Sequence, residues 1–233
     1  AQANLESTTA NLFGVKDEEK GYTPAYDLKS NEDSKGEALK VLIRQISNTS
    51  INELYDTLKL SIDLDNFNAF NAMNYLYGNP DDFRYNSNNY YLYRDSSINP
   101  KWIFIPTDLD KGLGITDWDP DGSQMKNILP FDNFTSNYTF PPPLLLRKTI
   151  LSSTKAFIDP YLLTLKEQVE NVFLYEDFAQ AYQVAHGLYA QDSSKSQTRT
   201  HAKPMGLPDA VSTYYCVTTY KVINLKQPRS ECN

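Results

Sequence analysis

Apolar residues recur at helical spacing over residues 36–47, where Ala38, Leu39, Leu42, Ile43 and Ile46 share one face. Ser34, with Glu37 three residues on, has the spacing of a capping box and is expected to start this helix. A second helix is predicted over 51–60, with Leu54, Leu58 and Ile62 in line. A third is predicted to follow Asp65, a favourable N-cap, and to run through Phe67, Phe70, Met73, Asn74 and Tyr77 until Gly78 stops it. The pattern then changes. Residues 79–89 are rich in Asn and Asp and read as a loop. Residues 90–94 and 101–106 read as strands, and the polar stretch 95–100 between them has turn composition, so a hairpin is expected that ends at Thr107-Asp108. Pro120, Pro130 and Pro141 to Pro143 make 111–143 loop-rich. Helical spacing resumes over 144–157, 160–173 and 176–189. A Ser/Thr/Lys/Pro-rich linker at 191–210 precedes a β-branched run at 211–223 that would add a strand. Residues 1–20 are polar and irregular, the pattern of a loop or a poorly anchored terminus. The order of helices, loop, hairpin, acidic loop and helices is that of an α+β fold in which helices dominate.

Composition narrows the partners. The chain has 233 residues, enough for one sizeable domain, and a net charge of −7 with no Lys/Arg cluster. That balance argues against nucleic acid and against anionic membrane surfaces. It does not argue against ATP, because magnesium bridges carboxylates and phosphates. No apolar run approaches the ~20 residues that span a bilayer. Tyr is abundant at 17, and three sequons begin at Asn48, Asn133 and Asn137, a combination expected of a secreted protein. No signal-peptide pattern opens the chain, so a mature or truncated form is expected. Cys216 and Cys232 would close a small loop in an oxidising compartment; the alternative is two free thiols.

The chemistry-bearing residues lie between 81 and 110. Phosphoryl transfer needs a carboxylate at the nucleophile, and an Asn and an Asp that hold magnesium on the phosphates. In protein kinases the first pair shares a loop, and the metal-binding Asp follows a short hairpin. Asp81, Asn89 and Asp108 have that order. Asp81 and Asp82 after Pro80 are also ordinary turn formers, and the two stay alternatives for the base. Asp108 and Asp110, read as strand residues, would point the same way. Tyr90 to Tyr93, Trp102 and Phe104 read as packing residues. Asp117, Asp119, Asp121 and Gly122 resemble half of a calcium loop, but position twelve is Ile128 rather than Glu. His186 and His201 are isolated, which argues against zinc.

Three blocks recur in order: Asn79-Pro80-Asp81-Asp82-Phe83, then Asn89-Tyr90-Tyr91-Leu92-Tyr93-Arg94-Asp95, then Lys101-Trp102-Ile103-Phe104-Ile105-Pro106-Thr107-Asp108-Leu109-Asp110 with Gly112-Leu113-Gly114. Together they resemble the signature of the spore-coat-protein-H (CotH) kinase family, over roughly residues 20–190. Tyr26-Asp27-Leu28-Lys29 is similar to the family's segment between two lobes. The resemblance implies an atypical protein-kinase-like fold, mostly the helical C-terminal lobe, with a β-hairpin carrying the metal-binding acidic motif. It divides the chain into an irregular N-terminus at 1–20, a catalytic lobe at 21–190, and a linker and tail at 191–233.

By the same resemblance Asp81 stands at the catalytic Asp, Asn89 and Asp108 at the nucleotide- and metal-binding positions, and Asp110 at the second acid of the metal motif. The implied activity is transfer of phosphate from ATP, with Mg2+, to Ser/Thr of coat or surface proteins. The protein would be secreted, on the cell surface or in a spore coat. Fungal members of the family imply an alternative: a non-catalytic adhesin that binds a host receptor through the loop 82–89 and the turn 95–100. Three departures stand out. The Asp81–Asn89 spacing exceeds the roughly five-residue offset of ordinary kinases, which implies a looped-out segment. Thr107 replaces the family's Trp. A phosphate-gripping N-terminal lobe is expected upstream of residue 20, so an inactive fragment or a lost lobe is expected here.

Overall fold

The computed structural model describes residues 3–6, 13–14, 16–21, 23–114, 128–131, 141–174, 176–177, 179–181 and 183–184. The acidic triplet at 117–121, the sequons at Asn133 and Asn137, His186, His201, both cysteines, the linker 191–210 and the expected strand at 211–223 lie outside them.

Three helices stand in succession over residues 37–77, as the apolar spacing suggests. Helix α1 (Glu37–Asn48) buries Leu39, Leu42, Ile43 and Ile46. Its start differs from the expected capping box: the N-cap is Gly36, at φ 69, and Ser34 belongs to a 3-10 turn. Lys35 and Gly36 are both left-handed, which reverses the chain and breaks the capping-box geometry. Helix α2 (Ile51–Ser61) buries Leu54 and Leu58, with Ile62 fully buried just beyond it. Helix α3 (Leu64–Tyr77) begins two residues before the expected site, capped by Asp63, whose carboxylate accepts from Asn66 N at 3.0 Å. The reason is tertiary. Ile62 bridges to Trp102 and Asp63 N donates to Trp102 O at 3.0 Å, so the chain is extended there and must turn into the helix at once. Gly78, left-handed at φ 63, ends α3 as expected.

Helix α3 is the centre of the fold, packed on the hairpin and on α6 (Lys155–Asn171). The hairpin pairs β3 (Tyr90–Asp95) with β4 (Asn99–Pro106), in register from Tyr90↔Pro106 to Asp95↔Asn99 with a bulge near Tyr93. An aromatic cluster joins hairpin, helix and loop: Phe83 lies edge-on to Tyr90 at 4.8 Å, and Phe67 meets Phe104 at 5.1 Å.

The single helix expected at 144–157 is interrupted. Helix α5 (Leu144–Lys148) stops at Thr149, and α6 starts at Lys155. Thr149 and Ser152 hydroxyls donate to the Leu145 and Thr149 carbonyls, at 2.6 Å each, competing with helical bonding. Pro160 lies inside α6 instead of opening it. Described residues between 176 and 184 are helical.

The N-terminal segment is better anchored than its polarity suggests. Leu5 is fully buried, Leu5 N donates to the Tyr26 hydroxyl at 2.7 Å, and the Tyr90 hydroxyl donates to Ala3 O. Arg147 pairs with Glu6. A two-residue strand, β1 (Phe13–Gly14), pairs parallel with β2 (Tyr26–Asp27). The fold is α+β. Among the described residues no helix is long and apolar enough to cross a membrane.

Candidate functional site

The loop after α3 divides at Asp81/Asp82. Asp82 is 1% exposed and caps a short helix, α4 (Phe83–Asn86). Its Oδ1 accepts from Arg84 N at 2.8 Å and Tyr85 N at 3.0 Å. Burial pushes its carboxyl up to about 7 against the pull of these donors and of Arg84. Arg84 is buried as well; its guanidinium donates to Tyr161 OH at 3.1 Å and to Pro130 O, and lies 5.4 Å over the Tyr75 ring. Phe83 fills the aromatic cluster. The extra residues between Asp81 and Asn89 are therefore a helical plug set into the core. Asp82 is spent on holding it.

Asp81 has the opposite surroundings. Its Oδ1 accepts from Asn86 Nδ2 at 2.6 Å and from Asn88 Nδ2 at 3.4 Å, and Lys111 Nζ lies 3.3 Å from Oδ2. Partial burial raises its pKa, but the two amides and the Lys111 charge outweigh burial and leave it below the usual carboxylate value. The side chain is thus a carboxylate at neutral pH, held in place and 22% exposed.

Asn89 and Asp108 meet Asp81 at the base of the hairpin. Asn89 Nδ2 donates to Asp81 O at 2.7 Å, and Asn89 O accepts from Thr107 N at 3.0 Å. The fully buried Asn79 ties the other side: its Oδ1 accepts from Asp81 N at 2.8 Å and its Nδ2 donates to Asp108 O at 3.2 Å. Asn89 and Asp108 are both left-handed, at φ 53, a conformation that Asn and Asp tolerate better than most residues.

Because β4 ends at Pro106 and Asp108 is left-handed, strand alternation does not relate Asp108 to Asp110 as expected. Both sit in an exposed turn. That turn is pinned by Tyr77, whose hydroxyl donates to Leu109 O at 2.9 Å. Gly112 lies under the same ring, where a Cβ would fall 2.1 Å from Tyr77 Cζ. Burial raises the Tyr77 phenol, with a further push from the Asp110 charge.

The structure so ties Asn89 to Asp81 directly, links Asp81 to the Asp108 backbone through the Asn79 side chain, and sets Asp110 beside Tyr77 in the adjoining turn. A model of the family described as CotH kinase protein matches residues 2–215. The chain belongs to the CotH kinase family. No curated protein and no solved structure matches it. The CotH match is wider than the stretch legible as a resemblance, and takes in the anchored segment 3–6.

Within this CotH chain, reading the sequence missed Asn79, Asn86, Asn88 and Lys111. The density of Asn in 79–89 was the available signal, since Asn serves left-handed turns and donates from its side chain. Lys111 had none beyond its place after the acidic pair. Among the described residues no three of His, Cys, Asp or Glu form a group able to hold a metal ion.

Proposed function

We propose that this CotH-family chain transfers the γ-phosphoryl group of Mg-ATP to Ser/Thr hydroxyls of coat or surface proteins outside the cell. The observation that carries this reading is the bond set from Asn79 and Asn89 that gathers Asp81, Asn89 and Asp108 at one end of the hairpin. Asp81 is an ionised carboxylate in a fixed orientation, suited to orient the acceptor hydroxyl and take its proton. The acceptor oxygen bonds to the γ-phosphorus, the bond from that phosphorus to the bridging oxygen breaks, and ADP leaves with the electron pair. Asn89, Asp108 and Asp110 supply hard oxygen donors of the kind Mg2+ takes. Mg2+ is commonly held by one or two carboxylates together with substrate phosphates, so an ion that arrives with the nucleotide needs few ligands from the protein. The bound ion would neutralise charge on the phosphates.

The test is transfer of labelled γ-phosphate to secreted proteins. Asp81→Asn and Asp108→Asn are expected to lose transfer by about 10²–10⁴-fold, and Asp108→Asn is expected to unfold at the wild-type temperature. Wild-type activity in both, or an unfolded Asp108→Asn, contradicts the assignment.

A second reading, an adhesin, is favoured by the exposed hairpin: Tyr91 is 48%, Tyr93 50% and Ile98 84% exposed. Its contact surface is not the loop 82–89 expected from the sequence, because Asp82, Phe83, Arg84, Tyr85 and Ser87 are buried. Alanine at Tyr93 and Ile98 that leaves cell-surface binding intact would remove it.

A further inference from the structure

Lys111 has no role in the scheme above, yet it touches the proposed base. Its Nζ lies 3.3 Å from Asp81 Oδ2, with the two side chains 32% and 22% exposed, so the pair is reachable from solvent. The turn that carries it is held from three directions: Asn79 Nδ2 on Asp108 O, the Tyr77 hydroxyl on Leu109 O, and Gly112 closed against the Tyr77 ring. The backbone that carries Lys111 is therefore placed by the fold, and the ammonium is directed by its contact with Asp81. Its neighbours Asp81, Asp108 and Asp110 are acidic, and a nucleotide would bring more negative charge to the same end of the hairpin.

In-line transfer puts the acceptor hydroxyl between the base and the γ-phosphorus. A cation in contact with the base is then next to the γ-phosphoryl oxygens and farther from the α- and β-phosphates. An ammonium has three N–H donors and can hold a carboxylate and a phosphoryl oxygen at once. We propose that Lys111 bridges Asp81 and the γ-phosphoryl group, and gives the site its preference for ATP over ADP. Lys111 stays protonated throughout; the hydroxyl proton goes to Asp81 and the electron pair of the broken bond goes to ADP. This rests on the kinase reading.

The experiment compares calorimetric binding of Mg-ADP and of magnesium with β,γ-imido-ATP, to wild type, Lys111→Ala and Lys111→Arg. Lys111→Ala is expected to weaken the triphosphate about 10-fold or more, as loss of a charge-assisted bond does, and to leave Mg-ADP within about twofold. Lys111→Arg should recover most of the loss. In the transfer assay Lys111→Ala should lower kcat at saturating ATP. Equal weakening of both nucleotides, or no change in either, overturns the Lys111 assignment and leaves the kinase reading standing. If the wild type binds neither nucleotide, the kinase reading itself falls and the Lys111 role with it.

Discussion

The two ends of the β3–β4 hairpin are built by different means. At the base, Asn89 and Thr107 are tied to each other, and Asn79 and Asn89 side chains bind backbone at Asp81 and Asp108. The Asn79–Asp108 and Thr107–Asn89 bonds join segments far apart in sequence, and Phe83, Tyr90 and Phe104 pack beneath them. At the tip, Asp95 accepts from Ser97 N at 3.0 Å and from the Ser97 hydroxyl at 2.6 Å, and Ile98 N donates back to Asp95 O at 3.2 Å. Every one of these bonds is local. The contrast shows where the chain invests order: backbone is cross-tied at the end that holds the acidic residues, and the other end only closes a turn.

Substitutions can break that contrast, and the largest effect is expected in the core of the base. Phe83→Ala removes a fully buried ring and should cost about 3–5 kcal/mol in urea unfolding. A cost below 1 kcal/mol would mean the helical plug does not anchor the loop. The next effect is set by pH. Asp82 has its folded pKa raised from 3.8 to about 7, so the folded state binds the extra proton between those values. Its stabilising contribution is full below about 4 and is lost as pH rises through 7. Asp82→Asn keeps an oxygen for the cap and cannot ionise. The wild type should lose stability relative to Asp82→Asn between pH 5 and pH 8, by on the order of 2 kcal/mol; parallel curves would contradict the buried carboxyl. Asp81 shifts the other way, so its contribution is present at neutral pH and lost on acidification through its lowered pKa.

Asn79→Ala leaves Asp81 N and Asp108 O without their partner and should cost about 1–3 kcal/mol, with a larger loss in transfer than in stability. The smallest effect belongs to the tip. Ile98→Ala, at an 84% exposed site, should stay within about 0.5 kcal/mol. A tip variant as costly as Asn79→Ala would erase the distinction between the two ends.

Much of this architecture was legible from periodicity. Leu39, Leu42, Leu54 and Leu58 mark helices that need one buried face, and the hairpin followed from apolar strands around a polar turn. Helix starts were less legible, because Asp63 and Asp65 have equal capping chemistry and a contact with Trp102 chose between them. The short segment Ala3 to Glu6 has no periodicity to reveal its anchoring, which depends on distant Tyr26, Tyr90 and Arg147. In the candidate site, Asp81, Asn89 and Asp108 stood out by order along the chain. Asp82 separated from Asp81 only through burial, and Asn79 and Lys111 act through partners about 30 residues away, a relation that spacing does not carry.

The most direct test of the hairpin base as a nucleotide site is calorimetric titration of the chain with ATP, with and without magnesium, alongside Asp108→Asn. Magnesium-dependent binding that the variant loses is the result this account predicts. No binding by the wild type, or equal binding by the variant, would contradict it.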